Sequence, residues 1–167
     1  TPWRGLANLL KIFKSLNLEN VKLNICSSTQ IYGKKFDNAL GKSYENLFEE
    51  CRNTKNINYL GYINNKEVIE LLKKMHIFTH PSIWPETSCI AAIESMAAGC
   101  EVVTTNLGAL YETCSPFATF VGFDRNFHNL ENKFNKTLLK SIKNYWSDEN
   151  QNKLKLQSEA INATYSW

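Results

Sequence analysis

A chain of 167 residues is about one domain of polypeptide, and a hydrophobic content of 43% is enough for a core. Its 19 basic and 16 acidic side chains leave a net charge of +3. They are interleaved along the chain, which excludes the clustered basic stripe of a nucleic-acid surface, so no nucleic-acid partner is expected. Five scattered cysteines with no Cys-x-x-Cys pair argue against a disulfide framework or a metal site and for a reducing, cytoplasmic setting. No apolar run approaches the ~20 residues of a membrane span, and no signal peptide is visible. The chain opens on Thr1 rather than Met, as an excised piece would.

The elements alternate. Leu6 to Leu16 carries a helical stripe of Leu6, Leu9, Leu10, Phe13 and Leu16. Val21 to Cys26 alternates as a strand, and Asp37 to Arg52 is an amphipathic helix on Leu40, Tyr44, Leu47, Phe48 and Cys51. Ile57 to Leu60 reads as a strand stopped by Gly61. A helix follows over Asn65 to Lys74, with Asn64 or Asn65 as N-cap. Ile77 to His80 is a strand entering a loop marked by Pro81 and Pro85. Ser88 to Ala98 is a helix ended by Gly99. Val102 to Thr105 and Ala118 to Val121 are strands on either side of a loop containing Gly108 and Pro116. Leu130 to Trp146 and Asp148 to Ala163 are closing helices. This order predicts an α/β fold, a Rossmann-like doubly wound parallel sheet whose first strand is missing, because the helix at Leu6 has no strand before it. Ligands bind such sheets at the carboxyl ends of the strands, so the loops after Cys26, Leu60, His80 and Thr105 matter most.

The residues with chemical potential surround the helix at Ser88. Glu94 is the only charge between Thr87 and Gly99, on a face shared with Ile90, Ile93 and Ala97. It is either a partly solvated acid at a groove edge or a carboxylate that accepts two hydroxyls of a vicinal diol such as a ribose. Thr87 or Ser88 is expected to cap the helix. The free N–H groups of Ser88, Cys89 and Ile90 would then form an anion site suited to a phosphate. Glu86 beside them is either an exposed loop acid complementing the helix dipole or a second binder of hydroxyls. Arg4-Gly5 pairs a bidentate phosphate fork with a glycine that permits close approach, or is a solvated turn. Tyr62-Ile63 offers a face for a base, or a packed turn aromatic. His80 reads as a structural histidine rather than a base.

Together these residues resemble the C-terminal, nucleotide-binding domain of GT-B retaining glycosyltransferases. Glu86 and Glu94 are spaced like that family's E-x7-E motif. His80-Pro81-Ser82, the run Ile93 to Gly99 and Val102 to Thr105 follow its pattern in order. Trp3-Arg4-Gly5 resembles its diphosphate-gripping turn, Leu60 to Ile63 its strand end near the base, Gly108 to Glu112 its glycine turn, and Ser166-Trp167 its closing aromatic. Cys89 stands where glycine is usual, Cys100-Glu101 where a small residue and proline are usual, and Ala109 where a second glycine is usual.

The resemblance implies a single nucleotide-sugar-binding domain over residues 1–167, forming the C-terminal half of a two-domain hexosyltransferase. Its donor is a nucleotide-diphosphate sugar. Arg4, Gly5, Thr87, Ser88, Cys89 and Ile90 hold the diphosphate, Glu94 the ribose, and Tyr62 and Ile63 the base. Glu86 is the catalytic residue near the anomeric carbon. No cofactor or metal is implied. The acceptor, a carbohydrate or lipid-linked molecule, would lie on the absent N-terminal domain, leaving this piece inactive alone. The intact protein would sit in the cytoplasm, with peripheral association at the inner face of a membrane. The rival readings are a non-catalytic nucleotide-binding module and a nucleotide-sugar epimerase of the same fold.

Overall fold

The computed structural model describes residues 1–165; the Ser166-Trp167 motif lies outside them. A 3-10 turn at Pro2–Arg4 leads into α1 (Leu6–Leu16), β1 (Leu23–Ile25), a 3-10 turn at Gln30–Tyr32, α2 (Lys34–Asn53), β2 (Ile57–Tyr59), α3 (Asn65–Leu72) and β3 (Ile77–His80). The chain continues through α4 (Ile90–Ala97), β4 (Glu101–Thr105), α5 (Leu110–Cys114), β5 (Thr119–Val121), α6 (Phe127–Asn144) and α7 (Asp148–Thr164). The alternation expected from the sequence is therefore present, with one helix added at Leu110. Asn64 caps α3 in a capping box with Glu67.

All strand pairs are parallel, as alternation with helices requires. They do not form one continuous sheet. β1 pairs with β2, and separately β3, β4 and β5 pair in that order. β1 is shorter than its alternating sequence because β2 ends at Tyr59, just before Gly61 turns with φ 64°.

The core divides accordingly. Leu6 and Leu10 of α1 pack with Ile25, Phe48 and Cys51 over the β1–β2 pair. Ile12 of α1 packs with Val103, Val121, Leu130, Phe134 and Leu138 under the larger sheet. Ala92, Ile93, Met96, Val102, Leu110, Cys114 and Ile161 fill the opposite face. Helix α1 thus contributes to the first two of these clusters and ties the two sheets together. The thiols of Cys51, Cys100 and Cys114 are fully buried and behave as small apolar groups. Burial pushes Cys114 up to about 12.

One acid is built into this frame. Glu101, at the start of β4, is buried. Its Oε1 accepts from Ser141 Oγ at 2.6 Å and Thr119 Oγ1 at 3.4 Å, and its Oε2 from Asn150 Nδ2 at 3.3 Å. These bonds join the sheet to α6 and α7. Removing the acid would strand its donors, so Glu101→Ala is expected to cost about 1–3 kcal/mol in urea unfolding. A loss below about 0.5 kcal/mol, the scale of an ordinary surface change, would contradict a structural role for the network.

Candidate functional site

The loops after β1, β2 and β3 meet at one end of the strands, as parallel topology dictates. β3 delivers His80, and hydroxyls from β4 fix the turn that follows. Thr104 Oγ1 donates to the His80 carbonyl at 3.0 Å, and Thr105 Oγ1 to the Ser82 carbonyl at 2.8 Å. The Ile83 amide donates to the Arg4 carbonyl at 3.2 Å, drawing the first turn against this loop. Gly5 makes that approach possible. Its φ is 125°, and any side chain there would collide with the Pro81 carbonyl oxygen.

These contacts bring Arg4 to Glu86. Arg4 Nη1 lies 2.5 Å from Glu86 Oε2, and His80 Nε2 stands 3.4 Å from Oε1. The Glu86 side chain is 2% exposed, so the exposed loop acid considered from sequence is excluded. Its backbone is pinned as well. The Ala109 amide donates to the Glu86 carbonyl at 2.7 Å. Gly108, with φ 62°, sits so close that an added Cβ would lie 2.5 Å from Glu86 O and 2.6 Å from Glu86 N. Burial alone would push the Glu86 carboxyl up. The hydrogen bond from His80 and the charge of Arg4 outweigh it and hold the carboxyl below its usual range.

Glu94 is the opposite case. It is half-buried on α4 and faces a cavity of about 1050 Å³. Burial is the one influence resolved on it, and it raises the pKa. Among the described residues no ion pair or side-chain hydrogen bond engages its carboxylate. Arg4, Gly5, Tyr62, Ile63, Cys89 and Glu94 all line this cavity, together with His80. Tyr62 is 56% exposed at its mouth.

The helix start differs from expectation. α4 begins at Ile90, its N-cap is Cys89, and no side chain caps it. Thr87 and Ser88 therefore do not cap; both remain exposed in the loop, and their side chains lie off the cavity, as does that of Ile90, 56% exposed. The first amides of α4 are left without intrahelical acceptors, which is the arrangement that attracts an anion. The structure gives His80, read from sequence as structural, a partner in Glu86. Its signal was its place at the end of a strand six residues before Glu86, but only the fold turns the loop back to join them. Cys26 to Ser28 and Ile31-Tyr32 also reach the cavity wall, without a sequence signal beyond following a strand. Among the described residues no three metal-ligating side chains converge, and no helix is long and apolar enough to cross a membrane.

The sequence matches the family described as "Glycosyl transferases group 1" over residues 1–159. No curated protein matches it. Among solved structures, Anabaena HepE in complex with UDP is similar at a TM-score of 0.66 and 16% identity, covering 98% of this chain and 42% of that one. Sucrose-phosphate synthase from Thermosynechococcus elongatus is similar at 0.66 and 18% identity, covering 98% and 41%. The pneumococcal O-GlcNAc transferase GtfA in complex with UDP and GlcNAc is similar at 0.61 and 11% identity, covering 96% and 31%. This chain thus spans less than half the length of each. At these identities the likeness is one of fold.

The Arg4–Glu86–His80 cluster has a pH signature. A depressed carboxyl contributes stability that is complete above its unfolded value of ~4.3 and is lost as pH falls through the lower folded value. The urea midpoint of the wild type should therefore drop more steeply between about pH 5 and pH 3 than that of Glu86→Gln, which has no such proton to take up. Parallel curves would mean the ion pair does not form in solution.

Proposed function

The chain belongs to the glycosyl transferases group 1 family, and from that premise we propose that it grips the nucleotide-diphosphate sugar donor of a retaining hexosyltransferase. The observation that carries the reading is Glu94, a half-buried carboxylate with no side-chain partner among the described residues, lining a cavity beside an uncapped helix start. An acceptor-only group in that position suits a ligand that brings hydroxyls, and a ribose diol brings two at hydrogen-bonding spacing. The open amides of α4 and the Arg4 fork suit the diphosphate. Tyr62 and Ile63 offer the base an apolar edge. Relatives of this fold have been solved with UDP and with UDP-glucose, so a uridine nucleotide is the donor to try first.

Glu86 enters through Arg4. In the ion pair both carboxylate oxygens have partners. A donor diphosphate presents Arg4 with oxygens of higher charge and bidentate spacing, which favours exchange of the guanidinium from Glu86 to the ligand. Glu86 is then free to turn towards the donor sugar and stabilise positive charge near the anomeric carbon. Arg4 and the α4 amides stabilise the leaving diphosphate, where electrostatics contribute most to the rate. The acceptor, a carbohydrate or lipid-linked molecule, would bind surfaces beyond these residues, so the chain alone is expected to bind donor without transferring it.

Titration calorimetry of the chain with UDP tests the assignment. Glu94→Ala should abolish measurable binding, and Glu94→Gln, which keeps one acceptor oxygen, should weaken it by about tenfold, the scale of one hydrogen bond to a charged group. Unchanged affinity in both variants would sink the ribose role.

A further inference from the structure

The two partners of Glu86 are held unequally. Arg4 meets the carboxylate through one nitrogen, Nη1, and its Nε is buried with no partner among the described residues. The guanidinium fork is thus engaged at a single point, at the end of a long side chain. His80 is fixed more firmly. Its carbonyl accepts from Thr104 Oγ1 at 3.0 Å and from the Ser82 amide at 2.8 Å. Its ring lies beside that of Phe78, with the centroids 5.9 Å apart. Arg4 can swing away by turning its side chain alone, whereas His80 belongs to the end of β3.

The difference matters for charge. When Arg4 passes to a diphosphate, as in the donor reading on which this inference rests, Glu86 loses a cation. It is buried, and a buried carboxylate without a cation is costly. Sugar hydroxyls bring donors but no positive charge. His80 Nε2 stands 3.4 Å from Glu86 Oε1. An ionised carboxylate only accepts, so the Nε2 facing it carries a hydrogen. Nδ1 is then the position open to a second proton, and histidine is the side chain suited to gain one near neutral pH. His80 lines the cavity, where solvent can supply it.

The neighbouring groups favour that proton or leave it to His80. Departure of Arg4 removes a positive charge from beside the ring, and Glu94 on α4 adds a negative one to the same cavity. Cys89, at the start of α4, is kept neutral because burial pushes its thiol up. From β4 the neighbours are the uncharged hydroxyls of Thr104 and Thr105. The amino group of Thr1 also lies near Arg4 and Glu86, and burial is the main influence lowering its pKa. It is a second group able to take a proton.

We propose that binding of the donor diphosphate is coupled to uptake of one proton by His80, which replaces Arg4 as the cation beside Glu86. No covalent bond to carbon or phosphorus changes. A proton passes from solvent to Nδ1, and the carboxylate keeps a positive partner throughout. Oε1 stays on His80, and Oε2, vacated by Arg4, becomes available to the donor sugar. His80 is then a positioning residue that keeps Glu86 ionised and in place while Arg4 serves the phosphates. A ligand bound with uptake of a proton binds more weakly as pH rises, by up to about tenfold per pH unit.

Calorimetry of UDP binding counts the proton. Heats are measured at about pH 7.5, where a terminal phosphate with its second ionisation near ~6 is already deprotonated. Pipes and Tris serve as buffers because their ionisation enthalpies differ, and the difference in heat gives the protons exchanged per UDP. The chain is acetylated at Thr1, which removes the amino group from the titration. Uptake of about 0.5 proton or more per UDP is expected in the otherwise unchanged chain. His80→Gln keeps a donor for Glu86 but cannot take the proton, and Glu86→Gln removes the charge that calls for it. Uptake should vanish in both, with UDP binding retained in Glu86→Gln, which has no buried charge left to compensate. Binding without uptake in the unchanged chain, or uptake that survives in either variant, would overturn this proposal and leave the donor reading standing. No UDP binding by the folded, unchanged chain would remove the donor reading and this proposal with it.

Discussion

The Glu86 side chain is 2% exposed, and an ionised carboxylate held out of water costs several kcal/mol unless cations and donors compensate it. Here the compensation comes from Arg4 and His80. Meeting it constrains four separate stretches of chain. Arg4 reaches in because Gly5 lets the first turn touch Pro81. His80 is delivered by β3 and anchored by Thr104. Gly108 lies flat against the Glu86 backbone because it has no side chain. The cluster is strongly held yet dependent on Arg4, since removing that cation would leave a buried, uncompensated charge.

Glu94 owes its character to the same geometry. One carboxylate is engaged by Arg4 and His80, and the other, on the adjoining helix, has no side-chain partner among the described residues. Their environments push the two titrations in opposite directions. A half-buried acceptor on the cavity wall with no donor among the described residues makes Glu94 the group whose surroundings call most directly for a ligand. The pair therefore differs in kind: Glu86 is engaged by side chains of the protein, and Glu94 faces the cavity.

Much of this was legible in the sequence. Periodicity located eleven of the twelve strands and helices to within a few residues, the exception being α5, whose five residues are too few to show a period. Glu94 stood out because it is one charge on a helix of small and apolar residues. The ion pair was not legible. Arg4 and Glu86 are 82 positions apart, and local pattern carries no information about a contact made by the closure of a loop on a distant turn. The helix cap was misjudged because Thr87 and Ser88 have the right chemistry for a cap, but the loop pinned at Glu86 carries them past that position and leaves Cys89 there. The division of the strands into two sheets was also hidden, since alternation gives the number and direction of strands but not their neighbours.

The central claim is that the cleft binds a nucleotide diphosphate with its ribose on Glu94 and its phosphates between Arg4 and the start of α4. A crystal structure of the chain grown with UDP tests it directly. A ribose hydroxyl is expected within hydrogen-bonding distance of the Glu94 carboxylate, with the diphosphate on the Ile90 and Ala91 amides and Arg4 moved from Glu86 to a phosphate oxygen. UDP bound with its ribose turned away from Glu94, or with Arg4 still paired to Glu86 and the phosphates elsewhere, would contradict it.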